Sequence, residues 1–164
     1  MPAARFVTDA SLEYLARRLR LLGYDVTTHR GARLEELFAA AAPEGRTVLT
    51  LSARRPARWA HVPAVQVARG DAREAVRAIA ETHAPASAPF SRCPVCNAAL
   101  QRRSGFEARG EVPGRVLRSG GPLNYCPACG RWYWVGSHVT RLVAWLEDAL
   151  GRPLATPGGP GQEE

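Results

Sequence analysis

Two short cysteine spacings, Cys93-x-x-Cys96 and Cys126-x-x-Cys129, stand 29 residues apart in a chain of 164 residues. No other feature restricts the fold as much. Two residues between cysteines let one tight turn aim both thiolates at a common point while backbone N–H groups of the turn donate to the sulfurs. The residue after each pair must turn left-handed. Gly130 fills that place in CPACG, and Asn97, of the next most tolerant type, fills it in CPVCN. Four such thiolates predict a tetrahedral zinc site with no position open to substrate or water, hence a structural one. Iron suits the same ligands. Two disulfides would suit a secreted protein, and a redox pair would leave two matched knuckles unexplained. A segment of about fifty residues buries little core, so the metal is expected to supply much of its folding energy, on the order of 10 kcal/mol in isolated zinc modules.

Ahead of the cysteines the pattern changes. Arg5–Thr8 reads as a strand, and Thr8 or Asp9 can cap a helix carrying Leu12, Leu15, Ala16, Leu19 and Leu22, which Gly23 stops. Strands follow at Tyr24–Thr28, Thr47–Leu51 and Ala64–Val67, with helices at Arg33–Ala42 and Ala72–His83. This alternation predicts an α/β domain over residues 1–85, a parallel sheet with flanking helices. The Ala-, Pro- and Ser-rich stretch Ala84–Pro89 is expected to be an extended linker at a domain boundary. Residues 90–150 are then a small zinc-ribbon domain closed by a C-terminal helix from Val139 to Leu150. The Gly- and Pro-rich tail, 151–164, has nothing to bury and is expected to be disordered.

The formal charge is +7 and the isoelectric point near 10.0, which favours a polyanionic partner, nucleic acid before membrane. All 22 basic residues are arginine, so a coding bias explains part of the excess. No apolar run is long enough to span a bilayer, and MPAARFVTDAS lacks an apolar core with a cleavage site, so a soluble, cytoplasmic protein is expected. Arg17, Arg18 and Arg20 fall off the leucine face of the first helix. Arg54, Arg55 and Arg58 follow the third strand, on the side where a parallel sheet presents its carboxyl ends. Either group can track a phosphate backbone or form a solvated face, and Arg102 and Arg103 are equally ambiguous. Trp132 and Trp134 share one side of a strand, suited to stacking unpaired bases or to closing a small core against the last helix. His138 fits substrate handling or a structural hydrogen bond at a helix start.

Asp9 lies just past the first strand, where ligands of open α/β sheets collect, and is equally suited to capping a helix. Asp71 repeats the arrangement after the last strand. Taken with these acids, the segments FVTDASLEYLARRLRLLGYDV, RTVLTLSAR, FSRCPVCNAAL and CPACGRWYWVGSHVTRL resemble the Mut-seven C-terminal ribonuclease domain family over roughly residues 5–145. The resemblance implies a PIN-like α/β domain with a zinc ribbon. It also implies carboxylates at the strand ends that hold Mg²⁺ or Mn²⁺ and activate water against an RNA phosphodiester. Asp9 matches the first of these acids, Asp71 a late one, and Glu36 belongs to an acidic run that is reduced here.

Two departures qualify that expectation. Where the family's strand ending reads like LLTRDR, this chain reads LTLSAR, with Ser52 at the place of the Asp. In GARLEEL, Glu35 and Glu36 remain while Arg33 and Leu34 replace earlier acids. A hydroxyl is a neutral, weaker ligand for a hard cation than a carboxylate. The expected partner is therefore RNA or an RNA-protein particle, bound with nuclease activity weakened or lost. The alternatives are an active Mg²⁺- or Mn²⁺-dependent ribonuclease and a protein-interaction module. The oligomeric state is open between a monomer and a homodimer.

Overall fold

The computed structural model describes residues 1–155. The strand-helix alternation becomes a four-stranded parallel sheet in the order β2-β1-β3-β4, formed by β1 (Arg5–Asp9), β2 (Asp25–His29), β3 (Thr47–Thr50) and β4 (Ala64–Gln66). The two central strands are apolar or β-branched almost throughout, because helices cover both faces. A 3₁₀ turn at Ala10–Leu12 leads into α1 (Glu13–Leu21), which packs with α3 (Ala72–Thr82) on the sheet face holding Phe6, Val26 and Leu49, with Leu19 of α1 in the same core. On the other face α2 (Leu34–Ala41) sets Leu37 and Phe38 against Val7 and Val48. The chain goes from β1 outward to β2 and returns past β1 to β3. The point where strand order reverses therefore lies between β1 and β3, and it opens a crevice at their carboxyl ends.

One buried arginine joins this sheet to the first cysteine knuckle. Arg20 lies on α1 and is 2 % exposed. Its Nε donates to the Val26 carbonyl (2.8 Å), Nη2 to Thr28 Oγ1 (2.9 Å), and Nη1 to both Glu13 Oε1 and the Pro94 carbonyl (2.9 Å each). The knuckle also lies along β2, an edge strand. Asn97 Oδ1 accepts from the Val26 N–H (3.0 Å), and its Nδ2 donates to Asp25 Oδ1 (2.7 Å). An exposed strand edge is thereby capped by a side chain rather than left open to another chain. Asp25 in turn binds buried Arg46, whose Nη1 also reaches the Phe6 carbonyl.

The stretch after α3, expected to be an extended linker over residues 84–89, bends at Ala86 and Ser87 and turns at Pro89, and it is bonded to the α/β fold. The Ala4 N–H donates to the Ala84 carbonyl, the Ala86 and Ser87 N–H groups to the Gly23 carbonyl, and the Phe90 N–H to the Leu21 carbonyl. Gly23 ends α1 with φ +91°, and a Cβ there would lie 2.0 Å from the Ser87 carbonyl oxygen. Its glycine is thus required twice, by the turn and by the close approach of the following segment.

Beyond the knuckle, β5 (Gln101–Arg103), β6 (Leu123–Tyr125) and β7 (Trp132–Trp134) form an antiparallel sheet in chain order. Between β5 and β6 lies a short helix, α4 (Gly114–Ser119), which the Gly-rich sequence does not announce. Trp132 and Trp134 pack with Val112, Val116 and Leu123, so these indoles close the ribbon core against α4, not against the last helix. That last helix, α5 (Ser137–Leu150), instead packs on α3. Leu146 and Ala149 are fully buried in the core with Val76 and Ile79, and Arg77 Nε donates to the Ala149 carbonyl (2.9 Å). The tail expected to be unstructured from Gly151 is in part packed. Leu154 lies on the same core and its N–H donates to Glu147 Oε1 (2.9 Å). Residues 156–164 lie outside the described residues.

Replacing Arg20 by Met should lower the unfolding free energy by about 3 kcal/mol, because Glu13 and the Pro94 carbonyl lose their cation. Arg17→Met, on the exposed side of the same helix, should change it by less than about 0.5 kcal/mol. Urea denaturation measures both. Burial opposes ionisation of Glu13 and Asp25, but it is outweighed at Glu13 by bonds from Thr28 and Arg20 and at Asp25 by bonds from Arg46 and Asn97, so both carboxyls are held below their ordinary values of 4.5 and 3.8. Their stabilisation is complete above those ordinary values and vanishes as pH falls through the lower folded ones. Denaturation midpoints should fall between about pH 5 and about pH 3, and Asp25→Asn should flatten that fall.

Candidate functional site

The four cysteine sulfurs lie within 4.8 Å of one another, with Cys93 and Cys126 buried and Cys96 and Cys129 exposed. Each knuckle closes in the same way: the N–H of Asn97 donates to the Cys93 carbonyl (2.9 Å) and that of Gly130 to the Cys126 carbonyl (2.8 Å). Both closing residues are left-handed, at φ 69° and 74°. The Sγ atoms of Cys93 and Cys129 are 3.7 Å apart, and those of Cys96 and Cys126 3.3 Å. Four sulfurs at 2.3 Å around one ion sit roughly 3.8 Å from each other, so the donor set fits a tetrahedral tetrathiolate centre.

The electrostatics of the cluster call for a cation. Burial resists ionisation of Cys93, but the Tyr133 hydroxyl at 3.1 Å and the N–H groups of Cys96 and Val95 overcome it and bring the thiol down to about 7. Burial and the neighbouring sulfurs of Cys126 and Cys93 push Cys96 up to about 12. One thiolate in this cage opposes the next, and a bound divalent ion removes that opposition.

At the carboxyl end of the sheet the expected acids are placed one by one. Asp9 ends β1 and caps the 3₁₀ turn, its Oδ1 accepting from the Ser11 N–H (2.9 Å) and from the Ser11 hydroxyl. Asp71 caps α3 by accepting from the Arg73 N–H (2.9 Å), beyond edge strand β4 and half exposed. Glu36 projects from the first turn of α2 with its Oε2 4.0 Å from His29 Nε2. Among the described residues, only the four cysteines form a group of three or more His, Cys, Asp or Glu ligand atoms this close together. The capping readings of Asp9 and Asp71 are therefore realised, and the three carboxylates are not gathered into one cage.

His29 is the residue that sequence reasoning missed. It is the register partner of Asp9 on the neighbouring strand, and paired residues of adjacent parallel strands face the same side of the sheet. Its Nε2 is shielded from solvent and makes no hydrogen bond among the described residues. Gly31 lies so close over the pair that a Cβ would come within 2.4 Å of both Glu36 Oε2 and His29 Nε2. The signal available in the sequence was a histidine at a strand end two residues before a glycine. Ser52 lies just past β3. Its N–H donates to Thr50 Oγ1 (3.0 Å), and its Oγ accepts from the Arg54 N–H (3.1 Å).

The candidate binding arginines differ in their engagement. Arg17 lies 3.7 Å from Glu13, and Arg54 is bonded to Glu35 at 2.7 Å. Arg55 donates to the Ser52 carbonyl (3.1 Å), while Arg58 stacks over Trp59. Arg18 lies between the rings of Tyr14 and Trp145, at 4.5 and 4.9 Å from their centroids.

No helix among the described residues is long and apolar enough to cross a membrane. No curated protein and no solved structure matches the chain. The model of the Mut7-C RNAse domain family matches residues 4–146, a span holding the parallel sheet, both cysteine knuckles and most of α5. The chain belongs to the Mut7-C RNAse domain family.

Proposed function

We propose that this protein binds RNA through a ribonuclease-type α/β domain whose hydrolytic centre has lost part of its metal-binding charge, and that its four-cysteine site holds a structural zinc ion. Ser52 carries the reading. It stands at the strand end where the family resemblance calls for an aspartate, beside the crevice between β1 and β3, and its hydroxyl already accepts a bond from the Arg54 backbone. A divalent cation there would meet Asp9 and a neutral oxygen in place of the missing acid, with neither Glu36 nor Asp71 gathered beside them. That donor set favours weak Mg²⁺ or Mn²⁺ binding and slow or absent hydrolysis. The RNA assignment draws on the family and on the arginine excess, with Arg17, Arg18, Arg54, Arg55 and Arg58 as the proposed phosphate contacts. Zinc is favoured over iron because the site is a closed tetrathiolate joined by hydrogen bonds to the rest of the fold, a structural role that needs no redox chemistry. Reduced thiols able to hold a metal belong to a reducing compartment, which favours the cytoplasm.

A second reading, an active metal-dependent ribonuclease, draws on one observation. His29 is the register partner of Asp9 at the strand ends and Glu36 lies 4.0 Å from the His29 ring, and imidazole and carboxylate together accept Mn²⁺ well.

Cleavage of a labelled single-stranded RNA with Mn²⁺ separates the two. The thinned-site reading expects RNA binding with little cleavage by the wild type and a gain in Ser52→Asp. Brisk cleavage by the wild type, abolished in Asp9→Asn, would establish the second reading and overturn the first. The metal assignment has its own test: the purified protein should carry about one equivalent of zinc, and Co²⁺ exchange should give the intense absorption of a tetrathiolate. Chelation or Cys126→Ser should unfold the ribbon and also lower the urea midpoint of the parallel sheet, since the first knuckle supplies partners to Arg20 and to the β2 edge.

A further inference from the structure

Three cavities, each sharing lining residues with the next, lead from the carboxyl end of the sheet, past the first cysteine knuckle, to the aromatic strand of the ribbon, and together outline a groove. It begins beside Ala10, the residue after Asp9, in a cavity of about 510 Å³ walled by Thr28, Arg30 and the knuckle residues Val95 and Cys96. Arg17 is common to this cavity and the next, of about 210 Å³, where Arg18 and Arg92 face Phe90 and Leu142. Trp134, Val135 and His138 are common to that cavity and a third, of about 550 Å³, which Arg115 borders.

The chemistry of the walls is one-sided. Among the lining residues the single carboxylate is Glu13, and it is already bound to buried Arg20 at 2.9 Å. Arg115 is exposed, and among the described residues it makes no side-chain hydrogen bond, ion pair or ring stacking. Val135, 50 % exposed, is an apolar residue set beside two indoles. Arg17 lies 3.7 Å from Glu13 and Arg92 donates to the Asn97 carbonyl (3.0 Å), and positive charge still exceeds negative along the walls. Such walls suit a polyanionic backbone, and flat aromatic and apolar walls suit bases free of a duplex.

We propose that single-stranded RNA lies along this groove, its phosphates on Arg17, Arg92 and Arg115 and its bases against Trp134 and Val135, so that the strand is led to the Asp9 end of the sheet. The proposal rests on the RNA-binding reading above and deepens it. It gives the ribbon a role beyond holding metal, because the knuckle forms a wall of the track and β7 supplies its far end.

The test is fluorescence anisotropy of a labelled RNA of about 12 nucleotides, within the site sizes of single-strand-binding folds, titrated with the zinc-loaded full chain. Arg115→Glu and Val135→Glu, both at exposed positions, should each weaken binding about tenfold, and Arg115→Glu should reduce the salt slope by about 1. Arg109→Glu, the same charge change on the ribbon but outside the groove, should bind like the wild type, and an RNA duplex of the same sequence should bind more weakly than the single strand. Wild-type affinity in both groove variants would overturn the groove and leave the RNA-binding reading standing. Equal losses in Arg109→Glu and the groove variants would overturn it as well, since they would indicate undirected attraction to a basic surface. A wild type that binds no RNA would overturn both.

Discussion

The structure turns on Arg20, a guanidinium almost wholly withdrawn from solvent. A buried charge is tolerated only when its donors are met, and here they are met from three places at once: β2 through Val26 and Thr28, α1 through Glu13, and the first cysteine knuckle through the Pro94 carbonyl. Removing any one of these partners strands a donor in the interior. The parallel sheet and the ribbon are therefore not two independent bodies joined by a tether. The segment between them, with four backbone hydrogen bonds to the start of β1 and the end of α1, reinforces the same junction.

Asn97 shows how the metal site takes part in that junction. Its left-handed backbone closes the knuckle, while its carboxamide pairs with the outer edge of β2 and with Asp25, which is itself held by Arg46. A glycine would serve the turn as well and would leave the Val26 N–H without its partner. The second knuckle, which lies along no strand edge of the parallel sheet, has the glycine. An ion held by the four thiolates would order a turn whose side chain completes the edge of β2, 71 residues earlier in the chain at Val26, and the β7 strand adds support through the Tyr133 hydroxyl beside Cys93.

The carboxyl end of the sheet is arranged differently, by register and not by burial. Asp9 and His29 are neighbours because β1 and β2 pair in parallel, and Glu36 joins them because α2 starts on that face. Asp71 lies past the outermost strand, since β4 is last in the sheet order. Two aspartates that look alike in sequence, each following a strand and opening a helical turn, therefore occupy unlike places. One flanks the crevice at the reversal of strand order and the other lies at the rim.

Local patterns made much of this legible in advance. The CxxC spacing carried the metal site because two-residue turns fix ligand direction within a few bonds, and the four parallel strands and their helices followed from apolar periodicity, with ends displaced by a residue or so. The family resemblance, not local pattern, marked Ser52 as a neutral residue where an acid is expected. What the sequence could not convey were relations across the chain. α4 is too short for periodicity to register, and the partner of α5 was a choice between two apolar surfaces that the helix itself does not distinguish. The engagement of Arg20 with the knuckle spans more than seventy residues, and the nearness of His29 to Asp9 depends on strand register. Sequence by itself determined which elements form and which atoms can hold a metal, since those depend on neighbours along the backbone. Tertiary structure alone decided which of the polar groups meet, because burial and strand order bring distant residues together with no trace in local spacing.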